Sequence, residues 1–148
     1  MKKVVLLSVL CVTLALAGGG FLVYRVIDSG FLTGASAERS ELIGTWSGPQ
    51  GARVTLHEDG TAEAVKIPGG FDWSSEKPIG SITGDGTWTL KKKPNAFVDQ
   101  EITLDLKTGK KVGALIDDLH VLDKGAQGGI YMPISEDSSN KFIFKKSS

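Results

Sequence analysis

The sequence predicts an all-β fold: a small antiparallel up-and-down barrel of about eight strands behind an N-terminal hydrophobic segment. Three observations lead there. Short runs alternate apolar and polar residues with period two, as half-buried strands do. Gly, Asp, Asn and Pro separate these runs at intervals too short for helical crossovers between parallel strands. No stretch after Leu42 carries a helical period.

The first element is the hydrophobic segment. Lys2-Lys3 precedes Val4 to Tyr24, 21 residues without a charge. About 20 apolar residues cross a bilayer as a helix. The paired lysines stay on the cytoplasmic side, which places the rest of the chain outside. Residues 1–26 are therefore expected to be a single-pass anchor in the cell membrane or a signal peptide. Ala15-Leu16-Ala17 before Gly18 has the small-x-small form of a cleavage site, so release near Ala17 and secretion is the alternative. Phe21 to Tyr24 extends the apolar run past that site. Cys11, the single cysteine, lies inside this segment, which excludes an intramolecular disulfide and a multi-cysteine metal site. Leu10 stands where a lipidation signal needs a small residue. Residues 27–39 read as a flexible linker, and residues 40–148 as the extracytoplasmic domain.

The expected strands follow in order. Leu42 to Ser47 opens the domain. Arg53 to His57 is second, with Val54 and Leu56 inward. Asp59-Gly60 turns the chain into Thr61 to Ile67, whose inward Ala62 and Ala64 call for a bulky neighbour. Pro68 to Pro78 is irregular. Ile82 to Leu90 puts Trp88 and Leu90 on one face. Glu101 to Leu106 is the clearest case, because Ile102, Leu104 and Leu106 alternate with Glu101, Thr103 and Asp105. Val112 to Asp118 and Leu119 to Asp123 are separate short runs, and Ala114 to Leu119 also reads as a short helical turn. Gly129 to Ile134 contains Pro133, which suggests an edge or a bulge. Lys141 to Lys146 turns Phe142 and Phe144 inward. Trp46, Trp88, Phe97, Phe142 and Phe144 are the expected aromatic core. Gly44-Thr45-Trp46 recurs as Gly86-Thr87-Trp88, consistent with duplication of a four-strand unit or with convergence.

Leu42-Ile43-Gly44-Thr45-Trp46, Val54-Thr55-Leu56, Gly86-Thr87-Trp88 and Ser138-Ser139-Asn140-Lys141-Phe142-Ile143-Phe144 together form a recognisable pattern. It resembles that of small secreted or membrane-anchored actinobacterial β-domain proteins, and the Gly-x-Trp opening resembles lipocalin and avidin-like barrels. The resemblance implies a lipocalin-like (calycin-type) barrel over Leu42 to Lys145 and carries no activity with it. It also implies a cation late in the barrel stacked on Trp46. No arginine follows Arg53, so Lys145 or Lys146 takes that place.

The chemistry-bearing residues exclude more than they assign. The chain holds 17 basic and 17 acidic side chains. From Ser40 onward 13 basic and 15 acidic residues leave the domain near −2, without the basic excess of a nucleic-acid binder. His57 and His120 fall on outward strand positions, and no serine stands in a nucleophile elbow. Asp117-Asp118 is the strongest carboxylate pair, but neighbours on a regular strand point to opposite faces. Glu136 to Asn140 lacks calcium-loop spacing, and Gly125 to Gly129 precedes no helix that could hold a phosphate. Neither a catalytic residue, nor a metal site, nor a cofactor is expected. Phe71 and Trp73 stand out as large rings in a glycine-flanked loop. They either plug one barrel end or contact a partner. The expectation is a non-enzymatic surface or secreted module for protein or envelope contact. The alternative is lipocalin-like binding of a small apolar ligand, for which Ala62 and Ala64 leave room.

Overall fold

A computed structural model describes residues 34–93, 97–109, 113–135 and 139–148. The hydrophobic segment, Phe31-Leu32 and Glu136-Asp137-Ser138 lie outside the described residues. Among those described, no helix is long and apolar enough to cross a membrane. The strands are β1 (Gly44–Ser47), β2 (Arg53–Leu56), β3 (Thr61–Pro68), β4 (Ser81–Leu90), β5 (Glu101–Lys107), β6 (Ala114–Leu122), β7 (Gly129–Pro133) and β8 (Lys141–Lys146). Each pairs antiparallel with the next, and β8 returns to β1, so the sheet closes into an eight-stranded up-and-down barrel. Closure leaves every full-length strand with two neighbours and hides the edges that invite aggregation.

Alternation builds the core as expected. Val54 and Leu56, Ile102, Leu104 and Leu106, and Phe142 and Phe144 are buried, with less buried residues between them. Trp46 and Trp88 are the largest fully buried side chains. Each donates its indole N–H to a backbone carbonyl: Trp46 to Leu42 and Trp88 to His57, both at 2.8 Å. Asp59 fixes the β2–β3 turn by accepting from Thr61 N and Oγ1, and Gly60 adopts φ +88° there.

The structure corrects several sequence expectations. Ala62 and Ala64 stand between the bulky Leu56 and Val54 of β2, as their small size calls for, and Gly86 and Gly84 of β4, which it does not foretell. A Cβ on either glycine would overlap the β5 backbone, at the carbonyls of Asp105 and Lys107 respectively. On the β4 side, small residues thus let the β5 backbone approach closely. The runs on either side of Asp118 merge into the single strand β6. Its register against β5 slips by one residue between Ile116 and Leu119, opposite Ile102 to Leu104. That bulge exposes both Asp117 and Asp118, where a regular strand would bury one. Phe97 is 76% exposed and does not belong to the core. The two Gly-Thr-Trp copies lie on β1 and β4, an odd number of strands apart and so antiparallel. Duplication of a four-strand unit would place the second copy on β5, so the two copies do not mark such a unit.

One end of the barrel is sealed by residues expected to be linker. Residues 34–38 lead into a single helical turn, α1 (Arg39–Leu42), whose Glu38 and Glu41 form a capping box. Ala35, Ala37 and Leu42 are buried. Gln100 is the clamp: its N–H donates to Ala35 O, its Oε1 accepts from Ala37 N, and its Nε2 donates to Lys91 O. Lys146 Nζ sits 5.2 Å from the Trp46 ring centroid, as the lysine expectation has it. Arg39 stacks at 4.0 Å over Trp88, a contact with no advance sign in the sequence.

Candidate functional site

The site is built at the opposite end, where the β1–β2, β3–β4, β5–β6 and β7–β8 connections gather. The β3–β4 connection, residues 69–80, is the longest of these. It is not loose. Ile79 N donates to Gly70 O, Asp72 N to Lys77 O and Glu76 N to Asp72 O, all within 2.8–2.9 Å, and Phe71 bridges Pro78. The Asp72 Oδ1 accepts four hydrogen bonds, from N and Oγ of both Ser74 and Ser75, at 2.7–3.1 Å. These donors hold the Asp72 carboxyl below the usual carboxylate range, at about 2, with the Ser74 hydroxyl the largest cause. Asn140 Nδ2 donates to Glu76 Oε2 at 2.6 Å and ties the loop to the β7–β8 connection.

This frame separates the two rings that the sequence singles out. Phe71 is half-buried, 5.7 Å from Phe142, which packs edge-on against Phe144. It closes part of the barrel mouth. Trp73 at the loop tip is 86% exposed. An Asp followed by Ser at the second and third positions is a turn signal, so the rigidity of this loop was readable in Asp72-x-Ser74-Ser75.

Beside Phe71 lies a recess of about 330 Å³. Gly69, Gly70, Phe71 and Ile82 line one wall, Leu115 to Asp118 another, and Met132 to Ser135 the third. It exists because β6 and β7 part company. Only His120, Val121 and Leu122 of β6 are in register with β7. The gap was missed in the sequence, although the Asp117-Asp118 doublet and Pro133 both mark it.

The remaining candidates do not line the recess. His57 Nε2 lies 3.7 Å from Glu63 on the surface. His120 stacks on Tyr131 at 5.3 Å, and its Nδ1 is buried without a partner. The Tyr131 hydroxyl donates to Asp99 Oδ2 at 2.7 Å, while Ala35 N donates to Asp99 Oδ1 at 2.7 Å. Burial first, then Asp99, raises the Tyr131 phenol. Among the described residues no group of three His, Cys, Asp or Glu side chains could hold a metal. No family model, curated protein or solved structure matches the chain. The functional reading therefore rests on the geometry of this chain.

Proposed function

We propose that the protein is a non-enzymatic, lipocalin-like binding module that presents the open end of its barrel to a protein or envelope partner. The N-terminal segment holds it outside the membrane in this reading, or releases it after cleavage near Ala17. One observation carries the proposal: Trp73 stands 86% exposed on a loop fixed by internal hydrogen bonds. An exposed indole on a mobile loop loses much of its contact energy to ordering. On a preorganised loop that cost is already met, and tryptophan is the residue type most enriched among binding hot spots.

The arrangement of the ends supports the same orientation. Residues 34–42 seal the end from which the chain runs back to the hydrophobic segment. The Trp73 end then points away from the membrane.

A photo-crosslinking amino acid at position 73, in the native host, tests the proposal. A discrete adduct at position 73, absent with the same probe at Phe97 on the sealed end, is the expected result. Equal labelling from both positions would remove the basis for a defined contact. A second reading, carriage of a small apolar ligand, draws support from the recess beside Phe71. At about 330 Å³ that recess is at the lower limit of ordinary ligand sites, roughly 300–1,000 Å³.

A further inference from the structure

The place where β6 and β7 diverge has a chemistry of its own. Lys91 N donates to Glu101 O at 2.9 Å. Hydrogen bonding alternates along an antiparallel strand, so Glu101, Thr103 and Asp105 face β4, while Ile102, Leu104 and Leu106 face β6. Their register partners Ile116 and Ala114 are thus bonded to β5. Leu115, between them, directs its N–H and C=O the other way, into the space β7 has left. Nothing among the described residues pairs with it there. Among the described residues the facing wall does not close the gap. Ile134 N turns to Asn140 O of the β7–β8 connection, so the preceding Pro133 turns its backbone nitrogen toward β6, and proline has no N–H to offer.

Among the described residues this is a short open strand edge beside a recess lined by both apolar and polar groups, inside an otherwise closed barrel. Leu115 is 67% exposed along it. The bulge adds two exposed carboxylates, Asp117 and Asp118, and no lysine or arginine lines the recess. We infer that the β6 edge at Leu115 accepts an extended, basic peptide segment as an added strand. Alternate side chains of that segment enter the recess between Phe71, Ile116 and Met132, and the others meet Asp117 and Asp118. A second copy of this chain is the poorer occupant. Its own edge would add a second Asp117 and Asp118, with no lysine or arginine lining the recess to meet them. The inference rests on the reading of the open end as a partner surface and specifies the form of the partner.

The probe is a labelled, end-capped Lys-Val-Lys-Val-Lys-Val-Lys peptide, titrated against the full chain in nanodiscs. Binding is read by fluorescence anisotropy, and amide protection by hydrogen exchange. Saturable binding with slowed exchange at the Leu115 amide is expected. A Glu-Val peptide of the same length should bind at least tenfold more weakly. Leu115→Pro removes the N–H that faces the gap and none of the bonds to β5, so it should weaken binding at least tenfold and keep the native circular dichroism. Should Leu115→Pro misfold, a Lys-Val peptide N-methylated on alternate residues tests the same bonds from the other side and should not bind. The idea is overturned by absence of binding, by equal affinity for the Glu-Val peptide, by binding that leaves the Leu115 amide unprotected, or by a concentration-dependent dimer that protects it. Trp73→Ala in the same assay separates the two proposals. Unchanged binding to Trp73→Ala with loss in Leu115→Pro retains strand addition and undercuts the loop. The reverse pattern retains the loop and ends strand addition.

Discussion

At the residue scale, small and polar side chains decide what the apolar pattern leaves open. Gly86 shows this most sharply, because a Cβ there overlaps the Asp105 carbonyl, a backbone atom that cannot rotate away. Gly86→Ala is expected to destabilise the fold by about 3 kcal/mol, the upper range for overpacking. Gly70→Ala, which meets no atom within 4 Å, should stay within about 0.5 kcal/mol, as surface substitutions usually do. Urea denaturation of both variants checks the contrast. Asp72 sets a pH limit on the Trp73 loop. Its folded pKa of about 2 lies below the unfolded carboxylate value near 4. Its contribution is therefore fully present above about pH 4 and is lost as pH falls toward 2. Trp46 and Trp88 are buried and Trp73 is exposed, so a fall in the anisotropy of the quencher-accessible tryptophan emission, confined to that acid window, reports on Trp73. Asp72→Asn should abolish the transition.

At the element scale, the strands were legible because alternation and turn chemistry act locally. Glu101–Lys107 and Lys141–Lys146 appear where their patterns put them. The features that escaped depend on contacts distant in sequence. Phe97 has the composition of a core residue, yet its loop leaves the ring in solvent. The seal over residues 34–42 is made by Gln100, more than 60 positions away. No local signal marks Gln100, which is one polar residue before a strand. Gln100→Ala leaves Ala37 N and Lys91 O without their partners. At about 1–3 kcal/mol for unsatisfied buried groups, the variant should lose roughly 2 kcal/mol in chemical denaturation. Hydrogen exchange should locate the loss first at Ala37. In the candidate site, Phe71 and Trp73 were visible as unusual loop residues. Their different fates were not, because the Phe142 contact that draws Phe71 inward lies across the barrel.

At the scale of the whole molecule, the two ends of the barrel differ in build. One end is closed by residues 34–42, with Arg39 and Lys146 over the two buried indoles. The other carries the rigid Trp73 loop and the parting of β6 from β7. The seam between β1 and β8 holds only two register pairs, Trp46 with Lys146 and Ser47 with Lys145. It is reinforced by Ser147 N donating to Thr45 O at 2.8 Å and by a Ser47–Ser147 hydroxyl contact of 2.7 Å. Opening should begin there, with amides of β1 exchanging before those of β3 and β4, whose ladder is longer. The packed interior also favours a partner over a cargo, since Trp46, Trp88, Phe144 and Ile102 occupy the space a deep ligand would need.

Native mass spectrometry of the protein purified from its own host addresses that choice most directly. Binding at the open end predicts a retained macromolecular partner, lost in Trp73→Ala, and a barrel otherwise at its bare mass. A small apolar ligand retained in stoichiometric amount and indifferent to Trp73→Ala would contradict the account.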